Sequence, residues 1–101
     1  MSTLEEMLGI DPDDPKVKLA RSLVDEKWAL RASLIQIRKD RGLTTREVAH
    51  RMGVSAQSVK QFEHYSSNPE LSSVTRYAMA VGAYVTYQVR ADPDYVEDGT
   101  A

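Results

Sequence analysis

The sequence predicts a small all-α fold with one short strand near its C-terminal end. Between residues 16 and 81, apolar residues recur mostly at helical spacing. Gly53 separates two such segments in the manner of a tight turn between short helices. A strand-like alternation follows, and the tail is acidic. The predicted parts are an acidic N-terminal arm with a helix (residues 1–29), a helical domain (30–82), a strand (83–90) and an acidic tail (91–101).

Length and composition limit the kind of protein. A chain of 101 residues holds one domain with appendages. It contains no run of about 18 apolar residues that could span a membrane, and its acidic N-terminus is unlike a secretory signal. Cysteine is absent, which excludes disulfides and thiol catalysis and fits a reducing compartment. We therefore expect a cytoplasmic protein with no membrane partner.

Charge is distributed unevenly, although the net charge is only −2. Residues 1–15 hold five acidic residues and no basic residue, whereas residues 16–65 hold eleven basic and five acidic residues. Residues 66–101 return to an acidic balance, with two basic and five acidic residues. A basic centre between acidic ends favours contact with phosphate, although soluble domains also acquire such asymmetry by chance.

The N-terminal part predicts a short helical turn and then a long helix. Thr3 and Glu6 have the spacing of a capping box. Asp14 and Pro15 favour the start of a helix that we expect to reach about Arg41. Its two apolar stripes do not coincide, so the helix either bends near residues 27–31 or is apolar on two faces. A second apolar face would pack either on the chain's own core or against a partner. The stripes are Val17, Ala20, Val24 and Trp28, and Leu23, Leu30, Leu34 and Ile37.

Residues 45–64 fit two short amphipathic helices joined at Gly53. Ser55 follows the glycine by two residues and is a favourable N-cap for the second helix. Ala49 is small at the point where the two helices would come closest. Four other apolar residues of this stretch fall on inward faces at helical spacing: Val48, Met52, Val59 and Phe62.

This pattern resembles the helix-turn-helix of the lambda-repressor-like (XRE-type, Cro/CI-like) transcriptional regulators. Counted from Thr45, the alanine and glycine of that motif are Ala49 and Gly53, and every apolar position is filled. The resemblance covers roughly residues 34–82 and implies a helical bundle that binds double-stranded DNA, most simply as a repressor on a palindromic operator. The strand and the N-terminal extension are similar to HigA-type antitoxins, which also neutralise a toxin. Phage Cro and immunity repressors are similar as well.

The resemblance also implies which residues contact DNA. The second helix, residues 55–64, would enter the major groove. A glutamine can bind adenine N6 and N7 together, which favours Gln57 and Gln61 as base contacts. Ala56 departs from the polar residue often found there and contacts a thymine methyl or nothing. The expected base contacts are Ala56, Gln57, Lys60 and Gln61, and the expected phosphate contacts are Thr45, Arg46, Ser55, His64, Ser66, Ser67 and Asn68.

Two further expectations concern pairing. By the resemblance, Arg38 in the first bundle helix and Glu63 in the recognition helix form a structural ion pair, the alternative being two solvated charges. Residues 83–90 alternate as a strand, and a single strand is not stable alone. The same strand of a second chain would complete it in a homodimer. The alternative is an extended tail on its own bundle. The expected dimer contacts are Tyr84, Val85, Tyr87 and Val89, with disorder from Ala91 onward.

The sequence contains no recognisable catalytic, cofactor or metal motif. His50 and His64 are fourteen residues apart and lack companions at ligand spacing. No phosphate loop, catalytic triad or carboxylate pair is apparent, so we expect no enzyme, no cofactor and no metal. The alternative from a different class is a protein-interaction module that has lost DNA binding. The polar side chains of Gln57, Lys60 and Gln61 argue against it.

Overall fold

A computed structural model describes residues 9, 11–64 and 66–95. Their regular structure consists of four helices, which confirms the predicted all-α class: α1 (Pro15–Asp40), α2 (Thr45–Met52), α3 (Ala56–Glu63) and α4 (Leu71–Val81). None of these helices combines the length and apolar character needed to cross a membrane. The predicted turn at residues 3–8 and the tail from residue 96 lie outside the described residues.

The chain divides into two compact units. One unit is Trp28–Tyr87, which contains α2, α3 and α4. The other unit includes the described parts of residues 1–27 and 88–101. The candidate DNA-contacting residues all belong to Trp28–Tyr87, so this unit is the one in which the site is assembled.

Helix α1 begins as its sequence predicts and ends one residue earlier than expected. The carboxylate of Asp14 accepts a hydrogen bond of 2.9 Å from the Lys16 N–H. Pro15 takes the first helical position, where its missing N–H leaves no intrahelical bond unmade. The last helical residue is Asp40.

Helices α2 and α3 form the predicted pair with Gly53 at the turn. Gly53 has a φ of 71°, the left-handed region in which a Cβ is unfavourable. Its N–H donates to the carbonyl oxygens of Ala49 and His50, which completes the end of α2. The hydroxyl of Ser55 then accepts a hydrogen bond of 3.1 Å from the Ser58 N–H and caps α3.

The core of Trp28–Tyr87 lies where α2, α3 and α4 face one another, with Leu34 contributed by α1. Phe62 and Tyr77 stack with ring centroids 4.5 Å apart and an angle of 15° between the planes. Ala49 is buried, and its small side chain lets α2 and α3 approach closely. The remaining buried apolar residues are Val48, Val59, Val74, Ala78, Ala80 and Val81.

The apolar residues of the helices differ widely in exposure. Tyr77 is fully buried, because it stacks on Phe62 and its hydroxyl has a partner. Leu71, the first residue of α4, is 68% exposed. On the N-terminal half of α1, Leu23 and Val24 remain largely exposed. The stripe that contains Val24 and Trp28 is therefore mostly exposed in the described chain, whereas the other stripe includes the buried Leu34.

The strand predicted at residues 83–90 is not confirmed. No β-structure occurs there or elsewhere in the described residues. A strand is defined by hydrogen bonds to a neighbouring strand, and the described part of one chain supplies no such neighbour. Ala83 and Val85 pack against the core, whereas Tyr84 and Val89 are fully exposed.

The described part of the acidic tail forms a turn. The Tyr95 N–H donates to the Asp92 carbonyl oxygen at 3.2 Å, and the Asp94 N–H donates to Asp92 Oδ1 at 3.0 Å. Residues from this turn and from the start of α1 line an open cavity of about 210 Å³: Pro15, Lys16, Leu19, Ala20, Leu23, Asp92 and Tyr95.

Candidate nucleic-acid interface

The outer face of α3 carries the side chains expected to contact bases. Gln57, Lys60 and Gln61 are exposed, because Val59 and Phe62 on the opposite face are buried in the core. Ala56 is half-buried and packs against that core. Three of the four expected base contacts are thus free to reach into a groove. Ala56 offers at most a small apolar surface.

Arg38 and Glu63 join α1 to α3. Arg38 Nε lies 2.8 Å from Glu63 Oε2, and the Arg38 Nη2 lies 3.1 Å from Oε1, so the contact is bidentate. The side chains are 13% and 14% exposed. Arg38 Nη1 also donates to the Leu43 carbonyl oxygen at 2.9 Å. The end of α3 is therefore held from α1.

Burial and pairing with Glu63 shift the pKa of Arg38 in opposite directions. Burial alone would lower the pKa of Arg38, because it disfavours the charged guanidinium. The hydrogen bond and the negative charge of Glu63 outweigh burial, and the pKa of Arg38 is raised. The guanidinium is therefore charged at every physiological pH, which keeps the ion pair formed.

Tyr77 adds a third member that the sequence analysis did not identify. Its hydroxyl donates to Glu63 Oε2 at 2.7 Å. Burial raises the pKa of Tyr77, and the neighbouring carboxylate of Glu63 raises it further. Helical spacing in α4 places Tyr77 beside Val74 and Ala78, so its burial could have been predicted. The hydrogen bond of its hydroxyl to Glu63 could not have been predicted from that spacing.

The expected phosphate contacts near the start of α2 and α3 have different environments. Thr45 is half-buried as the first residue of α2, and Arg46 beside it is exposed. The Ser55 hydroxyl caps α3 and lies 3.0 Å from the Ser58 hydroxyl. Ser55 is thus occupied as a cap, whereas the Arg46 guanidinium is available at the surface.

The segment after α3, which we call the post-recognition loop (residues 64 and 66–68), is closed by its own hydrogen bonds. His64 Nδ1 lies 2.7 Å from the Ser66 hydroxyl oxygen and accepts the Ser66 N–H at 3.2 Å. The Ser67 hydroxyl donates to the Phe62 carbonyl oxygen at 2.9 Å, so its proton is already committed. His64, Ser66 and Asn68 are exposed. These three residues form the outer surface of the loop.

Arg31 is a second residue that sequence reasoning missed. It is only 5% exposed, and it donates from Nη1 to the His64 carbonyl oxygen at 2.6 Å and from Nη2 to the Ser67 carbonyl oxygen at 3.0 Å. Its guanidinium lies over Trp28, 4.7 Å from the ring centroid. The available signal was its spacing, because Arg31 precedes the buried Leu34 by three residues on the same helical face.

A groove of about 360 Å³ runs beside α3. Gln61 and Asn68 line it, so it connects an expected base contact with an expected phosphate contact. Arg76 of α4 adds a positive charge. The other lining residues are Met52, Val54, Ser58, Phe62, Ser67, Pro69 and Ser73.

Two relatives are similar to this chain, both named Antitoxin HigA1 and both from Mycobacterium tuberculosis, strains CDC 1551 / Oshkosh and ATCC 25618 / H37Rv. Each is 41% identical over 70 residues, which are 69% of this chain and 47% of the relative. The chain therefore spans about half the length of the curated relatives it matches. No solved structure matches.

A family model described as helix-turn-helix matches residues 34–87, more than half of the chain. The matched residues include α2, the turn at Gly53 and α3. They also include Arg38 and Tyr77, which fix the end of α3 through Glu63. On the match and on this geometry, the chain belongs to the helix-turn-helix family.

Proposed function

We propose that this chain is a sequence-specific DNA-binding transcription regulator and that α3 enters the major groove. One observation carries the proposal. The network of Arg38, Glu63 and Tyr77 fixes an eight-residue helix whose outer face presents polar side chains of suitable reach. Such rigid presentation supports base contact, because a helix this short is unstable alone. The family to which the chain belongs supports the same function.

Each part of the interface has a distinct role in the proposal. Gln57 and Gln61 bind base edges, and glutamine suits adenine through its N6 and N7 atoms. Lys60 binds a base or a phosphate. The remaining residues bind phosphate, which positions the protein but does not specify sequence. They are Thr45, Arg46, Ser55 and the post-recognition loop, with Ser55 and Ser67 contributing mainly through backbone groups because their hydroxyls are occupied.

The regulator acts as a homodimer on a palindromic operator and represses by occupying it. Two recognition helices related by a two-fold axis would contact half-sites about one helical turn apart, or a multiple of that. Exposed Tyr84, Tyr87 and Val89 after the last helix support a contact between copies, since apolar side chains on a segment without regular structure are costly to leave in water. A regulator of this kind works in the cytoplasm.

The relatives named as antitoxins favour a second candidate function. In it, the chain also binds and neutralises a toxin, and the DNA binding represses its own operon. Leu23 and Val24 on the first half of α1 are exposed and would supply an apolar contact. Replacing both with serine is expected to abolish toxin binding and leave DNA affinity unchanged. Retained toxin binding would exclude this face.

Selection of binding sites from random duplex DNA, repeated at two salt concentrations, tests the main proposal. An enriched inverted repeat is the expected result, and its spacing would measure the distance between the two recognition helices. A variant with Gln57→Ala and Gln61→Ala should enrich no site. The matched control Gln36→Ala removes an exposed glutamine of α1, which bonds to Asp40, and should enrich the same site as the unaltered chain. Weak binding that vanishes at the higher salt, with no enriched sequence, would contradict the proposal.

A further inference from the structure

Arg31 is the buried charged residue of the described chain, and none of the functions above uses it. Its two terminal nitrogens donate to the carbonyl oxygens of His64 and Ser67, which both belong to the post-recognition loop. These are backbone contacts 33 and 36 residues away along the chain. A rigid fork of this kind fixes the separation and direction of two carbonyl groups at once.

The loop also has hydrogen bonds of its own. Its internal bonds join His64 to Ser66 and Ser67 to Phe62, so they shape the loop locally. Arg31 ties this shaped loop to α1. The exposed groups on the outer side of the loop are His64, Ser66 and Asn68, which are among the expected phosphate contacts.

Among the described residues, the groups that contact the positive charge of Arg31 are neutral. Its hydrogen-bond acceptors are neutral carbonyl oxygens, its Nε is buried without a partner, and the remaining contact is with the face of Trp28. A buried cation with dipolar partners alone is costly. A negative group arriving on the outer side of the loop would interact favourably with this charge, because burial reduces screening by water.

We infer that Arg31 is a positioning residue for DNA binding, which holds the post-recognition loop in the conformation that receives a backbone phosphate. The inference rests on the proposed function, since it assigns a role within the same interface. Arg31 itself does not touch the nucleic acid. It acts through the carbonyl oxygens of His64 and Ser67, and its buried charge strengthens the attraction for phosphate.

Arg51 provides a matched control. It is also an arginine of the same unit, and its Nη1 donates to a backbone carbonyl oxygen, that of Ala80, at 2.8 Å. Its acceptor belongs to α4 and not to the post-recognition loop. Replacing either arginine with methionine removes one positive charge. The change also removes two hydrogen bonds to carbonyl oxygens at Arg31 and one at Arg51. A difference between the two variants therefore reports on the loop.

The experiment measures affinity for a selected site and for random duplex DNA over a series of salt concentrations. Arg31→Met is expected to weaken binding to both duplexes by a similar factor of about ten or more, with an unchanged base preference. Its salt dependence should fall by about one phosphate contact. Arg51→Met should change affinity by less than about threefold and leave the salt dependence as it was. Arg31→Lys should recover only part of the lost affinity, because an ammonium cannot hold two carbonyl groups in a fixed fork.

Trp28 gives a readout in the unaltered chain that does not depend on any variant folding. It is the single tryptophan, and the Arg31 guanidinium lies over its ring. Saturating duplex DNA is expected to change its fluorescence emission. Unchanged emission at saturation would overturn the inference.

The outcomes separate the inference from the proposed function. If the unaltered chain binds no duplex DNA, the proposed function fails. If the unaltered chain binds and Arg31→Met binds as tightly as Arg51→Met, the positioning role of Arg31 is wrong and the proposed function stands. Full recovery by Arg31→Lys would also overturn it, because charge without the fork would then suffice.

Discussion

The Tyr77 hydroxyl donates a 2.7 Å hydrogen bond to the same carboxylate oxygen of Glu63 that faces Arg38 Nε. One oxygen therefore receives two donors from opposite directions along the chain, one from α1 and one from α4. Both donors are needed to satisfy a carboxylate that is largely withdrawn from water. Its partners determine how firmly α3 is held.

Removing the Tyr77 hydroxyl tests this arrangement with little change in shape. Tyr77→Phe keeps the stacking on Phe62 and leaves Glu63 one donor short. We expect a loss of about 1.5–3 kcal/mol in the free energy of unfolding, the range for a hydrogen bond to a charged group. Urea denaturation measures it. Tyr95→Phe is the control, because Tyr95 is 59% exposed and lies outside the proposed dimer contact, so the change should stay within about 0.5 kcal/mol.

Stability should fall at high pH through Tyr77. Its pKa is raised by burial and by Glu63, so the folded state keeps the proton above pH ~10, where the unfolded chain releases it. The contribution is fully present below about pH 10 and is lost as pH rises towards the folded pKa, with a slope of up to ~1.4 kcal/mol per pH unit. Denaturation of the unaltered chain and of Tyr77→Phe between pH 8 and 11 measures the difference. Parallel curves for the two proteins would contradict the assignment.

Glu63→Gln should destabilise the chain more than a surface ion pair would. Arg38 would lose its counterion in a site where its side chain is 13% exposed. Removing one partner of a buried pair costs about 3–5 kcal/mol, and the residual exposure here reduces our expectation to ~2–4 kcal/mol. A double-mutant cycle with Arg38→Met should show strong coupling. Additive effects of the two changes would mean that the charges act independently.

Gln61→Ala should weaken binding to the selected site without unfolding the chain. Gln61 is exposed on α3, so its removal leaves the core intact. A lost bidentate base contact costs about 1–3 kcal/mol and relaxes preference at one position. Fluorescence anisotropy with a labelled site and with single-base variants measures both effects. An intact fold with unchanged affinity would show that Gln61 does not contact a base.

A proline at Tyr87 tests the proposed dimer contact. Proline removes an N–H that a strand paired with a second chain would need. Tyr87 is preferable to Val85 because Val85 packs against its own core and its loss would disturb the monomer. Multi-angle light scattering should show a dimer for the unaltered chain and a monomer for Tyr87→Pro. A dimer that persists would remove this segment from the interface.

The helix limits follow from residues with strong local preferences. These residues are Asp14 and Pro15 at the start of α1, Gly53 at the turn and Ser55 before α3. Each affects only the few residues next to it in the sequence, so its effect can be predicted without tertiary structure. The resemblance to helix-turn-helix regulators led further, to the pairing of positions as distant as Arg38 and Glu63. Periodicity alone could not have identified that pair.

The contacts that escaped prediction involve partners with no sequence signature. Arg31 donates to backbone carbonyl oxygens, and every residue has one of those. The residue that would receive the Tyr77 hydroxyl depends on how α4 docks against α3, which composition does not specify. The strand predicted at residues 83–90 was not confirmed for a related reason. Alternation describes the side chains of residues 83–90, whereas a ladder depends on a neighbour that the described part of a single chain lacks.

The fixing of α3 from both sides of the sequence has a consequence during protein synthesis. Arg38 leaves the ribosome before Glu63, but Tyr77 follows it by fourteen residues. An eight-residue helix is not stable without its tertiary contacts. A nascent chain that ends before α4 therefore has no ordered α3, so the growing polypeptide completes the face proposed to bind DNA only after translation has passed α4.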